Sequence, residues 1–345
     1  MKQLCRMILI ILLALCLSAP SSVAESDAVN STSEVLPDGE FAPNGPDFLD
    51  EGVFSIDDIP TDYLEPSDAP GTVEQMRYTT ADGDTKSLMV YLPAGYAESE
   101  QRYPVLYLLH GSTGAPKNYL NPNSCTNLQS LLDNMIKNGD LQPLIVVAPT
   151  YYASSDDFAK YMPLPEQVKL VSDFPQELAD CIVPAVEAKY RTYAETTDAD
   201  GLRASRMQRA VAGFSLGGTA AWYTFLQRMD TFGWFLPISE ASWDDGDGGI
   251  SGIWDSDLSA KVLYEAVISQ GFSKDDFRLF VATGTNDEAF EVSTKQMISL
   301  LEYADLFIPG ENTSCSMMLD GTHTLSALYT YMYHILPRLF DLPEI

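Results

Sequence analysis

Positive charge is scarce in this chain: 20 Lys and Arg stand against 49 Asp and Glu, a formal net charge of −29. Such an excess of carboxylates repels phosphate backbones and anionic lipid, which argues against nucleic-acid and membrane-surface roles and says nothing about fold. Histidine is scarcer still, with only His110, His323 and His334, so imidazole chemistry has three possible seats. The five cysteines form no Cys-x-x-Cys pair and no Cys/His cluster, so no metal or other cofactor is expected. Long apolar runs are missing too. Residues 7–17 form an unbroken stretch of 11, too short to cross a bilayer comfortably, and no other stretch is long and apolar enough.

That one run has another meaning. Lys2 and Arg6 precede it, and Ser22-Val23-Ala24 supplies a small-x-small pattern after it. Residues 1–24 therefore read as a signal peptide cleaved after Ala24, which implies a secreted, extracellular protein. The alternative is a lipid anchor at Cys16, against which Leu15 stands where lipidation prefers a small residue. Cleavage would leave Cys125, Cys181 and Cys315, enough for at most one disulfide with one thiol over. Buried free thiols are the expectation, since a domain of this size needs no disulfide framework. Residues 25–76 hold 14 Asp and Glu and no Lys or Arg. Their first part, 25–39, reads as a disordered tail. Phe41, Phe48, Leu49, Val53, Phe54 and Ile56 would let residues 40–70 lie along a domain surface. The domain itself is expected over residues 71–345.

From residue 71 the texture is regular. β-branched and aromatic runs at 72–80 and 85–92 flank the turn Asp82-Gly83-Asp84. Apolar strand-like runs follow at 105–109, 144–148, 209–213, 235–238, 278–282 and 314–319. Helical patterns lie between and after them near 126–138, 173–190, 217–229, 257–270, 290–304 and 324–340. Short apolar strands alternating with helices predict one mainly parallel sheet covered on both faces. Two leading β-rich strands before that alternation give the order of the α/β-hydrolase fold.

Gly213-Phe214-Ser215-Leu216-Gly217-Gly218 holds a G-x-S-x-G pattern between a strand run and a helix run, where a nucleophile elbow belongs. An ordinary Gly-rich turn is the alternative. In this fold the chain order is Ser, acid, then His after the last strand. His323 meets that requirement on the loop Asp320-Gly321-Thr322. His110 ends an earlier strand and His334 sits in a helix pattern. For the acid, the strand 278–282 runs into Thr283-Gly284-Thr285-Asn286-Asp287-Glu288, which makes Asp287 the choice over Glu288 or Asp320. The fold's rule for the oxyanion assigns one donor to the N–H of Leu216 and another to the loop after His110-Gly111, at Ser112. Ser112 as a mere turn residue is the alternative.

These motifs in this order resemble the esterase D-like branch of the α/β-hydrolases, and within it the feruloyl and acetylxylan esterases of carbohydrate esterase family 1. The resemblance rests on Val90-Tyr91-Leu92-Pro93-Ala94-Gly95-Tyr96, on residues 103–111 ending in Leu-Leu-His-Gly, and on residues 143–149, 212–218, 284–287 and 321–323. It covers about residues 71–340. There are departures. Ser112-Thr113-Gly114-Ala115 stands where Gly-Gly is common, Leu216 where Met is frequent, and Glu240 where a small residue often follows Pro-x-Ser. The resemblance implies a serine carboxylesterase that removes feruloyl, or alternatively acetyl, groups from plant xylan through an acyl-enzyme. An acyltransferase sharing that intermediate and a non-catalytic binding module are the competing readings. The expected partner is an esterified polysaccharide or oligosaccharide. Tyr151, Tyr152, Trp243 and Tyr119, on loops at the catalytic edge, are candidates for gripping a phenolic ring or sugar face, with local packing as the alternative.

Overall fold

Strands form where apolar side chains can be buried on both sides of the backbone, and the central strand shows this most simply. In β4 (Val105–Leu109) all five residues are buried. Val105, Tyr107 and Leu109 enter one hydrophobic cluster, while Leu106 and Leu108 enter the other. The period-2 alternation of a strand thus feeds two cores, one on each face. This computed structural model describes residues 53–55, 58–153 and 164–340. The expected export segment, its Cys16 alternative and the acidic tail lie outside them.

The other strands are β1 (Val53–Ser55), β2 (Thr72–Thr79), β3 (Thr85–Leu92), β5 (Ile145–Ala148), β6 (Arg209–Phe214), β7 (Trp234–Ile238), β8 (Arg278–Gly284) and β9 (Thr313–Leu319). They form one nine-stranded sheet in the order β1-β9-β8-β7-β6-β4-β5-β3-β2. Pairing is antiparallel for β2–β3 and β3–β5 and parallel elsewhere. This is an α/β fold of the α/β-hydrolase type, as the alternation predicts. Its longer helices are α1 (Asn127–Asn138), α2 (Leu164–Glu177), α3 (Val183–Lys189), α4 (Ala199–Ala204), α5 (Leu216–Gln227), α6 (Ser256–Ser269), α7 (Phe290–Leu301) and α8 (Leu325–Ile335). Residues of α1 and α8 fill one core, and residues of α2, α3, α5, α6 and α7 fill the other. Among the described residues no helix is long and apolar enough to cross a membrane.

Three features depart from the sequence reading. The helix expected from 173 starts at Leu164 and carries Pro175 inside it. Proline cannot donate the helical hydrogen bond, and the chain passes through a wider turn at Leu178–Ile182 before α3. The chain also joins the sheet before residue 71. β1 runs parallel to β9, with Phe54 opposite Met318. Phe54 stacks on His334 at 4.2 Å, and Asn134 Nδ2 donates to the carbonyls of Asp62, Tyr63 and Glu65 at 2.9–3.3 Å. Lastly, Cys125, Cys181 and Cys315 are all unbridged, but Cys125 is exposed and Cys181 only half-buried, so the expected burial holds for Cys315 alone.

Candidate active site

β6 and α5 meet at Ser215, whose φ of 58° and ψ of −127° lie outside the ordinary regions for a residue with a side chain. The strained turn survives because the glycines around it allow backbones to touch. A Cβ at Gly213 would come 2.0 Å from the Gly217 carbonyl, and one at Gly217 would come 2.3 Å from the Leu109 carbonyl of β4. The Ser215 N–H donates to Ile238 O at the end of β7, at 3.0 Å. Leu216 opens α5, so its N–H is among those with no partner inside the helix.

His323 Nδ1 meets Asp287 Oδ1 at 2.9 Å, and the same oxygen accepts the Ala289 N–H at 2.8 Å. The Asp287 side chain is 0 % exposed and His323 is 26 % exposed, so the acid is sealed while the imidazole reaches the surface. Their two loops are locked together. A Cβ at Gly284 would lie 2.2 Å from the Gly321 carbonyl, and Asn286 N–H donates to that carbonyl at 2.9 Å. The imidazole packs on Phe214 at 4.7 Å, which sets it beside the residue preceding Ser215. Glu288 is a looser neighbour at 3.7 Å and 54 % exposed. Burial would lower the His323 pKa, but the Asp287 hydrogen bond and the charges of Asp287, Glu240 and Glu288 outweigh it and raise it.

The loop after β4 is held from behind. His110 is fully buried, its pKa pushed down to about 4 by that burial and by Lys86, against the raising effect of the Gly111 carbonyl. The neutral ring donates from Nδ1 to Gly111 O and accepts at Nε2 from the Thr150 hydroxyl, both at 2.8 Å. Tyr151 and Tyr152 donate their hydroxyls to the carbonyls of His110 and Ser112. The carbonyls of His110, Gly111 and Ser112 are therefore all tied to protein donors. A Cβ on Gly111 would stand 3.4 Å from the Ser215 Cβ, so the loop lies against the serine.

The structure thus brings Ser215, Leu216, Ser112, Asp287 and His323 to one end of the sheet. It leaves His334 elsewhere, with Nε2 3.1 Å from Asp58. Tyr119, Tyr151, Tyr152 and Trp243 are 1–7 % exposed, which gives a ligand almost no ring face. This corrects the expectation that they grip substrate: their rings fill the core, and the hydroxyls of Tyr151 and Tyr152 brace the loop. Sequence reasoning also passed over Thr150, whose hydroxyl donates to His110 Nε2, and over Glu240 as a charge acting on His323. The signal for Glu240 was its departure from a small residue after Pro-x-Ser.

An elbow serine beside a His–Asp pair on this fold defines a hydrolase-type site. The Esterase family matches residues 80–305, and the chain belongs to that family. It is 34 % identical over 286 residues to endo-1,4-beta-xylanase Y of Acetivibrio thermocellus, covering 81 % of this chain and 24 % of the relative. It is 29 % identical over 174 residues to an endo-1,4-beta-xylanase/feruloyl esterase of Xylanibacter ruminicola, covering 49 % of this chain and 22 % of the relative. The chain thus spans about a quarter of the length of these curated relatives. Among solved structures it resembles a mutant of the feruloyl esterase module from Clostridium thermocellum complexed with sinapinate. That likeness has a TM-score of 0.71 and 30 % identity over 86 % of this chain and 97 % of the other. In sequence and structure the chain is therefore similar to feruloyl esterase modules.

Proposed function

We propose that this protein is a secreted serine esterase that releases hydroxycinnamoyl groups, feruloyl foremost, from plant cell-wall polysaccharide. The observation that carries the reading is the His323–Asp287 hydrogen bond beside the strained Ser215 elbow, on a chain that covers 97 % of a feruloyl esterase module holding sinapinate. In the reaction, Ser215 Oγ attacks the ester carbonyl while His323 Nε2 takes its proton. Asp287, accepting from Nδ1, keeps Nε2 free as the base and stabilises the imidazolium. The N–H groups of Leu216 and Ser112 receive the oxyanion. His323 then returns the proton to the departing alcohol, leaving an acyl-enzyme on Ser215. Water, deprotonated by the same imidazole, cleaves that intermediate and releases the acid and free serine. Export rests on the residues 1–24 pattern.

The test is kcat/KM on methyl ferulate, methyl sinapate and acetylated xylan, with Ser215→Ala alongside. Feruloyl cleavage that falls by several orders of magnitude in the alanine variant is expected. A hundredfold preference for acetylated xylan would replace feruloyl by acetyl, and a variant keeping a tenth of the rate would remove Ser215 from the mechanism.

A further inference from the structure

Glu240 stands directly after Pro237-Ile238-Ser239, and the backbone fixes its place. Ser239 holds a φ of 54° and donates its N–H to Ala282 O at 2.7 Å. The Glu240 carbonyl accepts from Trp222 Nε1 at 3.3 Å, and its Oε1 accepts the Ala241 N–H at 3.0 Å. Two residues earlier, Ile238 O holds the Ser215 N–H. A Cβ on Gly218, in the first turn of α5, would lie 3.2 Å from the Glu240 Cβ. The Glu240 side chain therefore leaves the backbone beside the elbow. The charges of His323, on the loop after β9, and of Asp287, on the loop after β8, act on its carboxyl, as does Trp243 from its own loop. Glu288 adds a third carboxylate on the same histidine.

A carboxylate in that position sits within electrostatic reach of a group bound to Ser215, in a partly desolvated place where like charges repel strongly. We propose that Glu240 is a specificity-determining residue that selects neutral esters over esters bearing an anion close to the scissile bond. This rests on the reading of Ser215 as the nucleophile. Burial pushes the Glu240 carboxyl up to about 7, with Asp287 adding to the rise and Ala241 N–H, Trp243 and His323 opposing it. The discrimination therefore strengthens as pH rises through that value.

The experiment compares isosteric pairs: 4-nitrophenyl pentanoate with mono-4-nitrophenyl glutarate, and ethyl ferulate with carboxymethyl ferulate. The kcat/KM ratio of neutral to anionic ester is measured at pH 6 and 8 for wild type, Glu240→Gln and Glu240→Asp. In at least one pair the ratio at pH 8 should fall tenfold or more in Glu240→Gln, persist in Glu240→Asp, and shrink toward pH 6 in wild type. If Glu240→Gln does not fold, Glu240→Gly takes its place. A ratio equal within twofold in wild type and the uncharged variant, for both pairs and at both pH values, overturns the role of Glu240. Neutral-ester cleavage that survives in Ser215→Ala would instead overturn the site on which the inference rests.

Discussion

Burial and carboxylates pull the His323 imidazole in opposite directions, and the balance sets the pH at which it works. Desolvation lowers its pKa, but the Asp287 hydrogen bond and three nearby anions raise it above the ordinary value of about 6.5. A base must be neutral to accept the serine proton. As pH falls, kcat/KM on a neutral ester should therefore decline with an apparent pKa above 6.5, and a pH–rate profile checks this. Asp287→Asn removes the main partner and should cost about 10⁴-fold in kcat through the wrong tautomer, with the fold retained by circular dichroism. His110 is the control case. It is buried without a carboxylate, so it stays neutral and has only a bracing part. The sequence distinguishes these histidines through chain order alone, because the fold prescribes where the base comes. It does not reveal that Tyr119, Tyr151, Tyr152 and Trp243 turn inward, since a loop aromatic has no periodicity to say which way it faces.

The elbow shows why an element can be more legible than its neighbours. G-x-S-x-G-G is written into the sequence because backbone-to-backbone contact tolerates no side chain at Gly213 or Gly217. Gly217→Ala should force α5 off β4 and destabilise by about 3 kcal/mol, read from the urea midpoint, with activity lost alongside. The start of β6 carries a second constraint that no motif announces. Arg209 and Glu187 are both buried and meet at 2.9 Å between Nη2 and Oε2, with further bonds to Leu202 O and Ser205 Oγ. Arg209→Met would strand the Glu187 carboxylate and cost about 3–5 kcal/mol, whereas the double change with Glu187→Leu should recover much of it. α2 was misjudged for the opposite reason. The pattern near 173–190 puts Pro175 in the first turn of a helix, where proline is tolerated, yet the helix already runs from Leu164 through Pro175 into a wider turn at Leu178–Ile182.

On the scale of the whole molecule, the alternation of strands and helices made the order from β2 to β9 readable, because each parallel strand needs a crossover long enough to return. β1 escaped because three residues in an acidic stretch carry too little pattern to mark a strand. Its place is decided by partners far along the chain: Met318 opposite Phe54, Tyr331 at 5.9 Å and His334 stacked beneath it. Phe54 is the buried anchor of this edge, while Val53 is 40 % exposed. Phe54→Ala should therefore cost about 3 kcal/mol, a loss of several degrees in Tm, and Val53→Ala about 0.5 kcal/mol or less. β9 leads directly into the loop that carries His323, so the β1 edge and the site share one strand. The Gly284–Gly321 contact and the Asn286 bond to Gly321 O tie that loop to β8 independently of β1. Phe54→Ala should accordingly keep kcat/KM within about twofold of wild type at 25 °C while melting earlier. A tenfold loss of activity at a temperature where the variant is still folded would show that β1 helps to set the position of His323.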